Sequence, residues 1–166
     1  MTIPSSRIIF GLLFFGCSFL MAAALFMEHQ MNLEPCPLCI LQRIMVMMTG
    51  IIALIAVIHH PRHAGIKVYG GLVIVSAAIG GGVSSRQLWL QSLPADEVPA
   101  CGASLDYMLE VFPLADVLAM VLVGDGTCSE IAWTFLGVSI PGWTLVGFVG
   151  LIAIGVFQII RPLRQS

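Results

Sequence analysis

The residues with the clearest chemical potential are Cys36 and Cys39, two cysteines separated by Pro37 and Leu38. Two thiols at this spacing can close a small, reducible disulfide, share a metal ion or form a lone structural pair. If Cys39 opens a helix, Arg43 lies four residues further on the same face, where its cation could stabilise a thiolate. Pro37 fits such a start, because proline is tolerated in a first helical turn.

The composition of the chain is that of an integral membrane protein. Its 166 residues are 58% hydrophobic and only 10% charged, and the mean hydropathy is +1.01. Soluble domains are about a quarter charged. The length leaves room for one compact membrane domain, residues 1–166, and no nucleic-acid partner is expected.

Four apolar runs predict an all-α fold, a bundle of four transmembrane helices. The first is an uncharged run from Ile8 to Met27, about the length that crosses the hydrocarbon core. A cleaved signal peptide is the alternative, although its apolar part usually has roughly 7–15 residues. The other spans are predicted at about 40–58, 68–88 and 143–160, the last beginning at Trp143 after the break at Pro141-Gly142.

The segments between the spans form two predicted outer loops, at about 28–39 and 89–142, and a basic inner turn from His59 to Lys67. In the second loop, apolar residues recur at helical spacing between residues 105 and 122, interrupted by Pro113. Neither piece is long enough to span. We expect a short amphipathic helix there, lying in the membrane interface.

Charge placement predicts which side of the membrane each segment faces. With four spans, both termini and the inner turn share one side, with five basic residues and no acids: Arg7, Arg62, Lys67, Arg161 and Arg164. All nine acids lie on the other side, with only Arg43 and Arg86. The positive-inside rule makes the first side cytoplasmic.

Four of the five cysteines, Cys36, Cys39, Cys101 and Cys128, therefore face outward, where disulfides persist. Cys17 lies within a span, and a packed, inert thiol is expected there. Four cysteines allow three pairings, and thiol–disulfide exchange could pass electrons from one pair to the other. A lipid-soluble quinone is the obvious acceptor in a bilayer, and Arg43 could hydrogen-bond its carbonyl. A membrane-interface anchor is the alternative role for this arginine.

In these residues the sequence closely resembles the disulfide bond formation protein B family, the inner-membrane thiol:quinone oxidoreductases. The resemblance covers the four spans, the Cys36–Cys39 motif with Gln42-Arg43 behind it, and the cysteine pair of the second outer loop. It also covers the stretches Thr127–Glu130, Trp133–Gly137 and Pro141–Trp143.

The resemblance implies a role for each cysteine. Cys101 and Cys128 would form the disulfide that oxidises a periplasmic thioredoxin-like thiol oxidase (DsbA-type), which would attack Cys101. Cys36 and Cys39 would form the second disulfide and pass electrons on, with Cys39 the thiolate beside ubiquinone or menaquinone and Arg43 supporting the quinone. In the best-known relatives a histidine is expected near the outer end of the third span, where this chain has Trp89-Leu90-Gln91.

Two further interpretations remain open at the level of the sequence. The cysteine pairs could be inert staples of a small membrane scaffold. A Cys101–Cys128 disulfide would suit that role, but a Cys36–Cys39 disulfide closes too short a loop to stabilise much. The four thiols could instead be metal ligands, since structural zinc is often bound by four cysteines.

Overall fold

The computed structural model describes residues 5–31, 35–94, 97, 105–124, 126–131 and 133–160. In chain order the elements are α1 (Ser6–Met31), α2 (Pro37–His59), α3 (His63–Gln91), α4 (Leu105–Val111), α5 (Leu114–Val123), α6 (Gly126–Ser129), β1 (Thr134–Phe135), β2 (Val138–Ser139) and α7 (Ile140–Ile160). Within these ranges, α1, α2, α7 and α3 from Ala64 onward are long and apolar enough to cross a membrane. The prediction of an all-α bundle of four transmembrane helices is confirmed.

The bundle is built around α3, which packs against α2 on one side and α7 on the other, while α1 packs against α2. Small residues let α3 and α7 approach closely. A Cβ on Gly70 would lie 3.2 Å from the backbone oxygen of Gly155, and one on Gly155 would lie 3.1 Å from that of Gly70. Nearer the outer end, the ring of Phe148 fills the space beside Gly80. Gly70 and Gly80 of the third span therefore serve helix packing, and the predicted packed thiol, Cys17, is buried in the same core.

All four long helices extend beyond the predicted ends of their spans, and α2 begins at Pro37 instead of residue 40. α1 continues through Glu28 to Met31, because polar residues without glycine or proline do not end a helix. α3 begins at His63, so the inner turn is only His60 to Arg62, with His60 in the left-handed conformation at φ 49°. α7 begins at Ile140, not Trp143. Pro141 and Gly142 lie within its first turn, where a proline costs no hydrogen bond.

The second outer loop forms a cap over the outer ends of α2 and α3. The predicted amphipathic helix is two helices, α4 and α5, because Pro113 caps the start of α5. α5 ends at Gly124, whose φ of 80° suits glycine. Val117 and Val121 of α5 and Cys128 of α6 pack against Leu38 and Leu90 in a second apolar cluster. The cap thus brings Cys128 down onto the start of α2.

Arg86 of α3 holds the end of α5 in this cap. Its guanidinium donates to the backbone oxygens of Leu122 and Val123, at 3.2 and 3.1 Å, and lies 4.2 Å from the centre of the Trp89 ring. These are the last carbonyls of α5, where a cation also interacts favourably with the helix dipole. Arg86 therefore ties the end of α5 to α3.

A two-residue hairpin, which the sequence analysis did not predict, joins the cap to α7. β1 pairs antiparallel with β2, and the turn residues Leu136 and Gly137 have φ of 53° and 78°. Two consecutive positive φ angles are typical of the tight turn that suits a hairpin. The ring of Phe135 lies between Trp133 and Trp143. The hairpin therefore fixes the entry of the chain into α7.

The contact between α3 and α7 yields a matched test. Gly80→Ala places a methyl group against the ring of Phe148, which is 1% exposed and cannot move aside freely. We expect the free energy of unfolding to fall by about 1–3 kcal/mol, as for other overpacked cores. The control is Gly82→Ala on the same helix, where the methyl meets no atom within 4 Å. Thermal unfolding in detergent micelles would measure both variants, and equal midpoints would contradict this account of the packing.

Candidate functional site

Cys36 and Cys39 form the first turn of α2. Cys36 is the N-cap residue, with φ −68° and ψ 163°, and Pro37 is the first residue of the helix. The backbone N–H of Cys39 points at the sulfur of Cys36, 3.4 Å away, and the two sulfurs are 3.0 Å apart. This turn is the helix start that the sequence predicted around Pro37. It places both sulfurs where the partial positive charge of a helix N-terminus stabilises negative charge.

A third cysteine contacts this pair. Cys128 is buried in α6, and its side chain is hydrogen-bonded with that of Cys36. The pKa of the Cys36 thiol is raised, first by this hydrogen bond, then by the one with Cys39 and by burial. Cys36 therefore retains its proton at neutral pH, and its sulfur lies between two other sulfurs. Cys101 lies outside the described residues, so the predicted Cys101–Cys128 pairing stays a prediction.

Arg43 lies one turn below Cys39 and is held by α1. One end of its guanidinium forms an ion pair with Glu28, and the other donates to the backbone oxygen of Ala24 at 3.4 Å. The sequence predicts that Arg43 lies near Cys39, whereas Glu28 was expected at the start of the first outer loop. The signal was available: an acid at the end of one apolar run and a base near the start of the next are natural partners in a membrane.

A cavity of ≈ 750 Å³ opens beside the dithiol, between α1, α2 and α7. Its lining is mostly apolar and includes Leu20, Met21, Met27, Phe148 and Leu151. Cys36, Cys39, Gln42 and Arg43 contribute polar atoms to the same wall. A site with few polar groups in an apolar lining suits a flat, lipid-soluble molecule of moderate size.

Gln87 of α3, which the sequence analysis did not single out, touches both sulfurs of the pair. Its amide nitrogen lies 3.2 Å from the sulfur of Cys36 and 3.3 Å from that of Cys39. The amide of Gln42 donates to its oxygen at 2.6 Å. One helical turn further along α3, Gln91 accepts a hydrogen bond from Ser139 and also lines the cavity. The available signal for Gln87 was an amide near the end of an apolar helix, since buried amides require partners.

The site is a dithiol on a membrane helix, with a third thiol in contact and a mostly apolar cavity at its side. This arrangement is typical of a membrane protein that carries out thiol–disulfide exchange. A family model described as "Disulfide bond formation protein DsbB" matches residues 6–158. The chain is 57% identical to disulfide bond formation protein B of Marinobacter nauticus, over 95% of this chain and 94% of that one. It is 54% identical to the protein of that name from Saccharophagus degradans, over 96% of each chain.

A third relative, from Hahella chejuensis, is 49% identical over 96% of this chain and 97% of its own length, and has the same name. The chain therefore belongs to the disulfide bond formation protein B family. It is a multi-pass membrane protein and a disulfide-forming oxidoreductase.

The contact of Cys128 with Cys36 predicts an effect on thiol reactivity. Cys128→Ala removes the largest cause of the raised pKa of Cys36, so more of that thiol ionises at pH 8. We expect alkylation of Cys36 in the reduced protein to accelerate, because only the thiolate is nucleophilic. Peptide mass analysis after timed alkylation would measure it. Cys17→Ala, which removes a buried cysteine elsewhere, is the control, and equal Cys36 rates in both variants would contradict the assignment.

Proposed function

We propose that this protein is a membrane thiol:quinone oxidoreductase that reoxidises a periplasmic thioredoxin-like disulfide donor of the DsbA type and passes the electrons to a respiratory quinone. The observation that carries the proposal is that Cys39 shares a cavity wall with Arg43 while Cys36 contacts Cys128. Both cysteines thus border a mostly apolar cavity, and Cys36 also contacts the cysteine of α6.

The first half of the reaction is exchange between proteins. A thiolate of the reduced partner attacks Cys101 in the Cys101–Cys128 disulfide, which forms a mixed disulfide and releases Cys128 as a thiolate. The second thiol of the partner then attacks the partner's own sulfur in the mixed disulfide. Cys101 is released, and the partner's disulfide is complete. The partner is oxidised and the outer pair is reduced by two electrons.

The second half is exchange within the chain. The sulfur of Cys128 attacks Cys36 in the Cys36–Cys39 disulfide, and Cys39 leaves as a thiolate. Cys101 then attacks Cys128, which restores the outer disulfide and releases Cys36. The hydrogen bond between Cys128 and Cys36 supports this route, because the attacking and attacked sulfurs are already neighbours. The raised pKa of Cys36 supports Cys39 as the sulfur that carries the charge.

The acceptor is ubiquinone or menaquinone from the membrane pool, which takes up the two electrons and two protons that the dithiol loses. The residues present fit such a molecule. The cavity is of suitable size and mostly apolar, and the guanidinium of Arg43 lies in its wall near Cys39, so its N–H groups can donate to a ring carbonyl. Glu28 orients that guanidinium from α1 and balances its charge.

The protein would reside in the bacterial inner membrane, with both termini in the cytoplasm and the cysteine loops in the periplasm. The charge asymmetry along the sequence supports this orientation. In this orientation all four relay cysteines would lie in the compartment where disulfides persist.

Quinone reduction by the purified protein tests the whole proposal. With a reduced periplasmic thioredoxin-like dithiol and ubiquinone or menaquinone, we expect the quinone absorbance to fall, and Cys39→Ser and Cys101→Ser each to abolish the change. Cys17→Ala is the matched control and should turn over normally. If no tested dithiol or quinone supports turnover, the staple and metal-site interpretations gain, and metal analysis of the purified protein separates those two.

The role of Arg43 has its own test. Arg43→Ala should raise the KM for ubiquinone by about tenfold, the order expected from loss of one hydrogen bond to a charged group, while thiol exchange at Cys101 is largely kept. Glu28→Gln should shift the quinone KM in the same direction, because it releases the guanidinium from α1. Arg62→Ala, which removes an exposed charge at the inner turn, is the control. Equal loss of quinone reduction and thiol exchange in Arg43→Ala would remove it from the quinone site.

A further inference from the structure

We propose that Gln87 is a catalytic residue of the thiol chemistry, whose amide N–H groups stabilise the negative charge released on Cys39, and that Gln42 and Thr144 are positioning residues that hold this amide in its donating orientation. The inference rests on the proposed function in one respect, that Cys39 is the sulfur released when the inner disulfide is reduced. Its test needs neither a quinone nor a partner protein.

The three residues form one chain of hydrogen bonds across three membrane-spanning helices. The amide nitrogen of Gln87 on α3 lies 3.2 and 3.3 Å from the two sulfurs of the pair. Its oxygen accepts from the amide nitrogen of Gln42 on α2, at 2.6 Å. The oxygen of Gln42 accepts in turn from the hydroxyl of Thr144 on α7, at 2.7 Å. Gln87 is 3% exposed and Gln42 is 4% exposed, so the hydrogen bond between the two amides is buried.

The donor–acceptor direction along this chain of hydrogen bonds decides which atom of the Gln87 amide lies nearer the sulfurs. A glutamine amide has a donating and an accepting end of nearly equal shape, and only its partners distinguish them. Gln42 donates to Gln87, which makes the oxygen of Gln87 an acceptor and leaves its N–H groups for the two sulfurs. The same oxygen lies 3.5 Å from the sulfur of Cys39 and accepts from that thiol only while the thiol is protonated. The hydroxyl of Thr144 has one hydrogen and two acceptors within reach, the oxygen of Gln42 at 2.7 Å and the backbone oxygen of Pro141 at 2.9 Å. Donation to Gln42 is the direction consistent with N–H groups of Gln87 that face the sulfurs.

Donors aimed at sulfur stabilise one redox state more than the other. A hydrogen bond to an ionised acceptor is roughly twice as strong as one between neutral groups, and a poorly solvated site strengthens it further. A disulfide sulfur is neutral, whereas the sulfur that leaves on reduction carries a charge. The amide therefore favours the reduced pair with its charge on Cys39, as donors aimed at a developing charge do in other enzymes.

This role differs from that of Arg43. The guanidinium is bound to α1 through Glu28 and Ala24, whereas Gln87 reaches the sulfurs from α3. Removing Gln87 should therefore change the reactivity and redox equilibrium of the cysteine pair itself. Removing Arg43 should mainly change quinone use.

The test measures the pair directly in the full-length protein in detergent. In Gln87→Leu, alkylation of Cys39 by a small uncharged maleimide at pH 7 should slow by about tenfold after reduction with dithiothreitol. The equilibrium of the Cys36–Cys39 pair with that dithiol should shift by a similar factor towards the disulfide. The matched control is Gln158→Leu, the same substitution at a buried glutamine near the inner end of α7, which should leave both values unchanged.

A second pair of variants keeps the proposal testable if Gln87→Leu folds poorly. Thr144→Val removes the hydroxyl that fixes Gln42 and should shift both values in the same direction by a smaller factor. Thr144→Ser keeps the hydroxyl and should restore them. A merely structural role of these side chains would leave the redox equilibrium of folded variants at the wild-type value, and that result would overturn the proposal.

The outcomes also separate this inference from the proposed function. If the wild-type protein reduces quinone but Gln87→Leu and Thr144→Val alkylate and equilibrate as the wild type does, the role of Gln87 is wrong and the relay stands. If the wild-type protein reduces no quinone but both variants show the predicted shifts, the amide acts on the sulfurs and the quinone assignment is wrong.

Discussion

A negative charge on sulfur is costly in apolar surroundings, and the position of the dithiol at the first turn of α2 is the feature that limits this cost. The helix supplies backbone N–H groups without helical partners and the positive end of its dipole. The other polar groups nearby extend the same stabilisation: an amide from α3 reaches the sulfurs, and a guanidinium held by α1 lies one turn below them. The cavity wall beside these groups is mostly apolar, although Gln91, Glu130 and Ser139 also line it.

Helix packing decides whether these groups can meet. α3 and α7 approach closely because glycines face each other near the inner end and Gly80 receives the ring of Phe148 further out. One turn beyond Gly80, the hydroxyls of Ser84 and Thr144 lie 3.4 Å apart across the same interface. The close approach thus continues up to the level of Gln87. A bulkier residue at the glycine contact would act on the site through this interface, without touching a sulfur.

The sequence predicted the parts that depend on long patterns or on local chemistry. Four apolar runs indicated four helices, and the Cys36–Cys39 motif with Pro37 indicated a helix start with two thiols. Contacts that join distant segments were not predicted, because neither segment alone identifies its partner. Glu28 reads as a loop acid until α1 is seen to continue past it, and Gln87 reads as one more polar residue beside Ser85 and Arg86. The start of α7 was misplaced because Pro141 and Gly142 break a helix in its interior but not in its first turn.

The tie from Arg86 to the end of α5 has a mechanical consequence. α6, which carries Cys128, is the next helix after α5. The position of this cysteine therefore depends on the hydrogen bonds between Arg86 of α3 and the end of α5. The next residue of α3, Gln87, touches the sulfurs at the start of α2. Two adjacent residues of α3 thus contact both the helix that precedes Cys128 and the sulfurs at the start of α2. A tilt of α3 would therefore act on both sulfur-bearing segments at once.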